Sequence, residues 1–110
     1  MIEFHLVLRV APNKARTVVD ALQVLAKSAR ATPGCMAVEV YKAVDERGCI
    51  CYDEIWETES VLRSMIASKH FSQLAALMEL SSKPPDCQFR FIAKTQGLEF
   101  AEQIKGFAPH

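Results

Sequence analysis

Residues 2–10, IEFHLVLRV, set Ile2, Phe4, Leu6, Leu8 and Val10 on one side and Glu3, His5, Val7 and Arg9 on the other. A period of two is the signature of a strand, and one side of this strand is almost wholly apolar. Such a strand is stable only where helices or a second sheet cover that side. Ala11-Pro12-Asn13 breaks the pattern, with Pro12 unable to extend a ladder and Asn13 suited to cap a helix. From Lys14 to about Ala31 the period changes: Val18, Leu22, Leu25 and Ala29 recur at helical spacing, widened by Val19 and Ala26. Pro33-Gly34 ends this amphipathic helix.

Residues 35–43, CMAVEVYKA, and 49–56, CICYDEIW, read as strands, joined by the polar turn Asp45-Glu46-Arg47-Gly48 into a hairpin. Thr58 can cap a second helix carrying Val61, Leu62, Met65 and Ile66; Ser68-Lys69-His70 interrupts it before Phe71, Leu74, Ala75, Leu77 and Met78 resume the period. After the breaker Ser81–Pro85, residues 87–95, CQFRFIAKT, form a fourth strand with Phe89 and Phe91 on the apolar face. LEFAEQI is expected as a short terminal helix and residues 106–110 as a frayed end.

The order β-α-β-β-α-β defines the fold class as α+β, a ferredoxin-like βαββαβ sandwich with a four-stranded antiparallel sheet and its helices on one face. It occupies residues 1–95, leaving 96–110 as a C-terminal extension. Ile2, Phe4, Leu6, Leu8, Phe89 and Phe91 are expected beneath the helices. The other sheet face mixes His5, Arg9, Gln88 and Arg90 with Val7 and Ile92. It is either wet in a monomer or covered by a second copy, with Glu3 or Glu39 meeting Arg9 or Arg90 across the seam.

Thirteen basic residues balance thirteen acidic ones, so the basic excess of a nucleic-acid binder is missing. No secretory head and no apolar run of membrane length is visible, so a cytoplasmic protein away from membranes is expected. Cys35, Cys49, Cys51 and Cys87 show no zinc-ligand spacing. Cys49 and Cys51 share a strand face, where two thiolates could help hold a metal or, more simply, act as small buried hydrophobes. The sequence holds neither GxGxxG nor a phosphate loop, and no serine lies in a GxSxG elbow.

Particular segments carry a resemblance: the opening strand, Pro33-Gly34-Cys35, Val38-Glu39-Val40-Tyr41, Tyr52-Asp53-Glu54-Ile55-Trp56, Val61-Leu62 and Ala67-Ser68-Lys69-His70-Phe71. Together they resemble the antibiotic biosynthesis monooxygenase superfamily, over residues 1 to about 95. The resemblance implies a homodimeric α+β barrel with a pocket between sheet and helices in each subunit. Its members include cofactor-free oxygenases of quinols and polycyclic phenols, haem-degrading oxygenases and an isomerase-like enzyme. Many relatives carry a histidine where this chain has Met65. The Asn, Trp and His of the haem-degrading branch fall at Val7, Met65 and Ala75, so haem breakdown is not expected.

Trp56, the only tryptophan, can stack on a flat ring or simply pack a helix on the sheet. His70, at the helix interruption, can take a phenolic proton or merely bond loop backbone at the surface. These two are the expected catalytic residues. Tyr52, Glu54, Phe71, His5 and Arg90 are the expected substrate-binding residues. Alternation puts Tyr52, Glu54 and Trp56 on one strand face and Asp53 on the other, without saying which face meets the helices. His5 is a second acid or base, or a partner for Glu39 or Asp53. Tyr41 can bond a substrate carbonyl, and Arg9 or Arg90 can steady an oxyanion. The expected activity is a cofactor-independent monooxygenase using O2 on a quinol-like or phenolic aromatic compound, with no metal. The alternative is a non-catalytic dimeric module of the same fold that binds a small ligand or a partner.

Overall fold

The computed structural model describes residues 1–106. Strand β1 (Ile2–Arg9) runs through the middle of the sheet because both its edges find partners. It pairs with β3 (Cys49–Trp56) along its whole length, Ile2 opposite Trp56 and Arg9 opposite Cys49. On its other side lies β4 (Asp86–Phe91), and β2 (Cys35–Lys42) extends the sheet beyond β3. Every pairing is antiparallel and the order is β2-β3-β1-β4. β1 and β2 thus run parallel with β3 between them, as do β3 and β4 with β1 between them. That is the interleaved ferredoxin-like arrangement expected from the element order.

Between β1 and β2 runs α1 (Ala15–Arg30), preceded by a single 3-10 turn at Pro12–Lys14. Its buried stripe is Val18, Leu22, Leu25, Ala26 and Ala29. Asn13 is not the cap: it lies inside the turn that Pro12 begins, and Lys14 takes the cap position without a side-chain bond. Between β3 and β4 the chain forms α2 (Glu59–Ile66) and α3 (Lys69–Met78). Thr58 caps α2 by accepting from the Val61 amide at 3.2 Å. The interruption falls at Ala67 and Ser68, where Ser68 turns to extended backbone.

The core joins Ile2, Phe4, Leu6, Leu8 and Val10 to α1, to Tyr52 and Trp56 of β3, and to Leu62, Met65 and Leu74. Val7, Cys49 and Cys51 form a smaller buried cluster, so these two cysteines do pack as small hydrophobes. Phe89 and Phe91 depart from expectation, at 37% and 63% exposure. β4 is an edge strand: α1 packs mainly over β2, β3 and α3, and α2 faces β4 only across an open hollow lined by Leu62, Ile66, Phe89 and Phe91. Phe89 still stacks on Phe4 with ring centres 5.3 Å apart. β4 also stops at Phe91 rather than continuing to 95, because the Ile92 amide bonds Met1 and β1 offers nothing further.

The terminal helix forms as α4 (Leu98–Lys105), with Leu98, Phe100 and Ile104 exposed. It projects from the domain: the radius of gyration is 16.4 Å, against about 13 Å for a compact chain of this length. Of the residues 106–110 expected to fray, Gly106 caps α4 with its amide bonded to the Glu102 carbonyl, and 107–110 lie outside the described residues.

Candidate functional site

Register decides the face that alternation left open. Ile2, Phe4 and Leu6 point into the core, and their β3 partners are Trp56, Glu54 and Tyr52. These three therefore lie under the helices, and Glu54 is a fully buried carboxyl group in an otherwise apolar core. A carboxylate survives there only if its oxygens are hydrogen-bonded. Three donors meet it. Tyr52 Oη donates to Glu54 Oε2 at 2.6 Å, and Trp56 Nε1 donates to Oε1 at 2.9 Å. The third is His70, whose Nε2 lies 2.6 Å from Oε2.

This bonding assigns the histidine tautomer. With Nε2–H given to the carboxylate, Nδ1 carries the lone pair in the neutral ring. Nδ1 is buried and has no hydrogen-bond partner among the described residues. The helix interruption makes the geometry possible: ending α2 at Ile66 lets α3 restart with His70 in its first turn, directed back to the sheet. Burial, reinforced by the charge of Glu54, pushes the Tyr52 hydroxyl well above the ordinary tyrosine range, so it stays a proton donor.

His70 and Trp56 both line a cavity of about 480 Å³ with Pro33, Val61, Met65 and Lys69. This volume is in the range of small-molecule sites. The α1–β2 turn forms one rim, where Gly34, at φ 89°, accepts from the Glu57 amide at 2.9 Å. A side chain at Gly34 would lie 2.7 Å from Val61 Cγ1, so the turn is drawn tight against α2. Ser60, Ser64 and Ser68 also line the cavity. Sequence reasoning missed them, although their spacing of four is the signal of a polar stripe on one helical face.

The remaining expected residues separate. Phe71 packs into the core, edge to face with Phe4 at 5.9 Å, rather than lining the cavity. His5 and Arg90 lie across the sheet from it: their strand partners are Asp53 and Glu3. His5 Nδ1 bonds Asp53 Oδ1, and Arg90 reaches Glu3 at 2.7 Å within the same chain. Tyr41 is on that face too, donating to Asp53 Oδ2 at 2.8 Å. Arg9 is held by Glu46 and Asp86. Another hollow, of about 300 Å³, lies by the β2–β3 hairpin next to Lys42, Glu46 and Arg47, far from the Glu54 cluster.

Fold and buried cluster together define a small ferredoxin-like protein with a ligand-sized cleft between the α1–β2 turn and the α2–α3 helices, reaching Trp56 at the end of β3. The sequence profile of the antibiotic biosynthesis monooxygenase family matches residues 1–77, and the chain belongs to that family. Among solved structures, it is similar to a candidate antibiotic biosynthesis monooxygenase from Deinococcus radiodurans, with a TM-score of 0.78 and 17% identity, covering 88% of this chain and 97% of that one. A conserved protein from Methanosarcina mazei aligns with a TM-score of 0.73 and 22% identity, covering 81% and 89%. A conserved protein of unknown function from Bacteroides thetaiotaomicron, described as a possible oxidoreductase, aligns with a TM-score of 0.72 and 19% identity, covering 81% and 94%. At these identities the likeness concerns the fold. No curated protein is matched. No helix among the described residues is long and apolar enough to cross a membrane.

Proposed function

We propose that the chain is a cofactor-independent monooxygenase acting on a quinol-like or phenolic aromatic compound, with His70 as its base. The observation that carries this reading is the pairing of His70 Nε2 with buried Glu54, which leaves Nδ1 buried and unpartnered on a side chain that lines the cavity. A substrate hydroxyl donates to Nδ1, and its proton moves to the imidazole. Glu54 stabilises the resulting imidazolium, and Tyr52 and Trp56 hold Glu54 in place. Trp56 offers an indole edge to a flat ring. The electron-rich phenolate then reduces O2 directly. For a hydroquinone, one oxygen atom enters the ring and the other leaves as water. The substrate becomes a hydroxyquinone and supplies all four electrons, so no outside reductant is needed. The protein's part is to deprotonate, orient and exclude water.

Two copies are proposed to pair through the open sheet faces, where His5, Arg90 and Tyr41 sit. The mixed character of that face and membership of a family in which homodimers are common support this.

Met65 favours a second reading, because it puts a thioether in the chamber where many relatives carry a histidine. Under that reading the fold binds a small ligand or a partner without chemistry. Oxygen uptake with a panel of hydroquinones and polycyclic phenols decides the matter. Uptake in the wild type that disappears in His70→Asn supports the oxygenase. Equal quenching of Trp56 fluorescence by these compounds in both proteins, with no uptake in either, establishes the binding module.

A further inference from the structure

A second group of ionisable side chains sits on the sheet face opposite the chamber. Glu3 and His5 are two apart on β1 and so share a face, and Asp53 stands directly opposite His5 on β3. One donor atom from each of the three lies within 4.8 Å of the other two. The side chains are only 21%, 16% and 18% exposed for Glu3, His5 and Asp53, which limits their freedom.

Each carboxylate is gripped from outside. Arg90 takes Glu3 Oε1 at 2.7 Å and Tyr41 takes Asp53 Oδ2 at 2.8 Å. That leaves Glu3 Oε2 for an inner ligand, with Asp53 Oδ1 engaged only by His5 Nδ1. This is the pattern in which outer partners orient metal-binding groups. Glu39, opposite Asp53 on β2, adds a third carboxylate beside the cluster, while the guanidiniums of the face, Arg90 and Arg9, are engaged by Glu3 and by Glu46 and Asp86.

We propose that Glu3, His5 and Asp53 form a binding site for a divalent first-row transition ion, distinct from the aromatic chamber. Two carboxylate oxygens and one imidazole nitrogen suit Mn2+, Co2+ or Zn2+ better than Ca2+, which takes an all-oxygen shell of six to eight ligands. The ion takes the place of the hydrogen bond between His5 and Asp53. The ion would tie β1 to β3 at the centre of the sheet, and in the proposed dimer it would lie in the seam.

Calorimetric titration of the full chain with CoCl2, alongside absorption spectroscopy, tests the site. One ion per chain is expected, without the intense thiolate-to-metal band that Cys35, Cys49, Cys51 or Cys87 would give. His5→Gln and Asp53→Asn should abolish binding, and Glu3→Gln, at the most exposed of the three positions, serves if those two fail to fold. Tyr41→Phe should weaken binding about tenfold or more, the usual effect of removing an outer partner. Co2+ bound equally by wild type and Glu3→Gln, bound through thiolate, or not bound at all would overturn the proposal. The readout is independent of oxygen uptake, so failure here leaves the chamber's chemistry standing.

Discussion

His70 Nε2 lies 2.6 Å from Glu54 Oε2, a bond that ties the first turn of α3 to the middle of β3. It gives the buried Glu54 carboxylate a third donor beside Tyr52 and Trp56, and in the proposed mechanism it orients His70 as the base. Removing the imidazole should therefore act on chemistry more than on binding. His70→Asn is expected to lower the rate of oxygen consumption by about 10²–10⁴, the usual share of a general base. Ligand affinity, read by quenching of Trp56 fluorescence, should change little.

Glu54 accepts from a phenol, an indole and an imidazole at once. Glu54→Leu leaves those donors buried without an acceptor, at about 1–3 kcal/mol for each. A fall in stability of at least about 3 kcal/mol is expected from urea denaturation. Adding Tyr52→Phe should recover part of the loss, because that hydroxyl then needs no acceptor. Strict additivity of the two changes would count against a shared network.

Much of this was legible in the chain itself, and the remainder needed register. Both ends of β3 follow from residue types alone, and so does a helix break, expected at Ser68–His70 but falling at Ala67 and Ser68, so that His70 lies inside α3. Alternation grouped Tyr52, Glu54 and Trp56 correctly. What turns this group toward the helices is the pairing of Phe4 with Glu54, a contact between residues fifty apart. The same pairing sends His5 to the other side with Asp53, so His5 and Arg90 could not share the chamber with Trp56. Phe89 and Phe91 have the right periodicity for a covered strand. Their exposure reflects β4's place at the sheet edge, which periodicity does not encode.

Gly48 carries a steric demand that its neighbours do not. Its φ is 76°, and a Cβ there would stand 2.3 Å from the Val10 carbonyl oxygen. Gly48→Ala must therefore push β1's exit away from the hairpin, at a cost of about 3 kcal/mol, high for a single substitution. Gly106→Ala is the control: its φ of 73° is similar, but nothing lies within 4 Å. Chemical denaturation should show a large loss for the first and little change for the second, since α4 packs at most weakly on the other elements.

Cutting the chain after Gln96 tests whether the domain ends near residue 95. Leu98, Phe100 and Ile104 are all about half or more exposed, so little apolar burial within the chain is lost with them. The thermal midpoint of the isolated chain should hold. A fall in the dimer–monomer equilibrium, measured by analytical ultracentrifugation, would instead assign α4 to the partner subunit.

Tyr52 should also shape stability in alkali. Its hydroxyl is raised above the ordinary value, first by burial and then by the charge of Glu54. In the unfolded chain it returns to about 10. Below that pH both states keep the proton and the full contribution is present. Above it the unfolded state releases a proton that the folded state retains, so stability falls as pH rises toward the folded value. One such group gives a slope of about 1.4 kcal/mol per pH unit. Urea midpoints measured from pH about 9 to 11 should decline in the wild type and decline less in Tyr52→Phe. The substituted protein begins from a lower value, having lost its bond to Glu54, so the two curves should converge as pH rises. Parallel curves would mean that Tyr52 gives up its proton as readily inside the fold as outside it, and the buried Glu54 cluster would need another source of order.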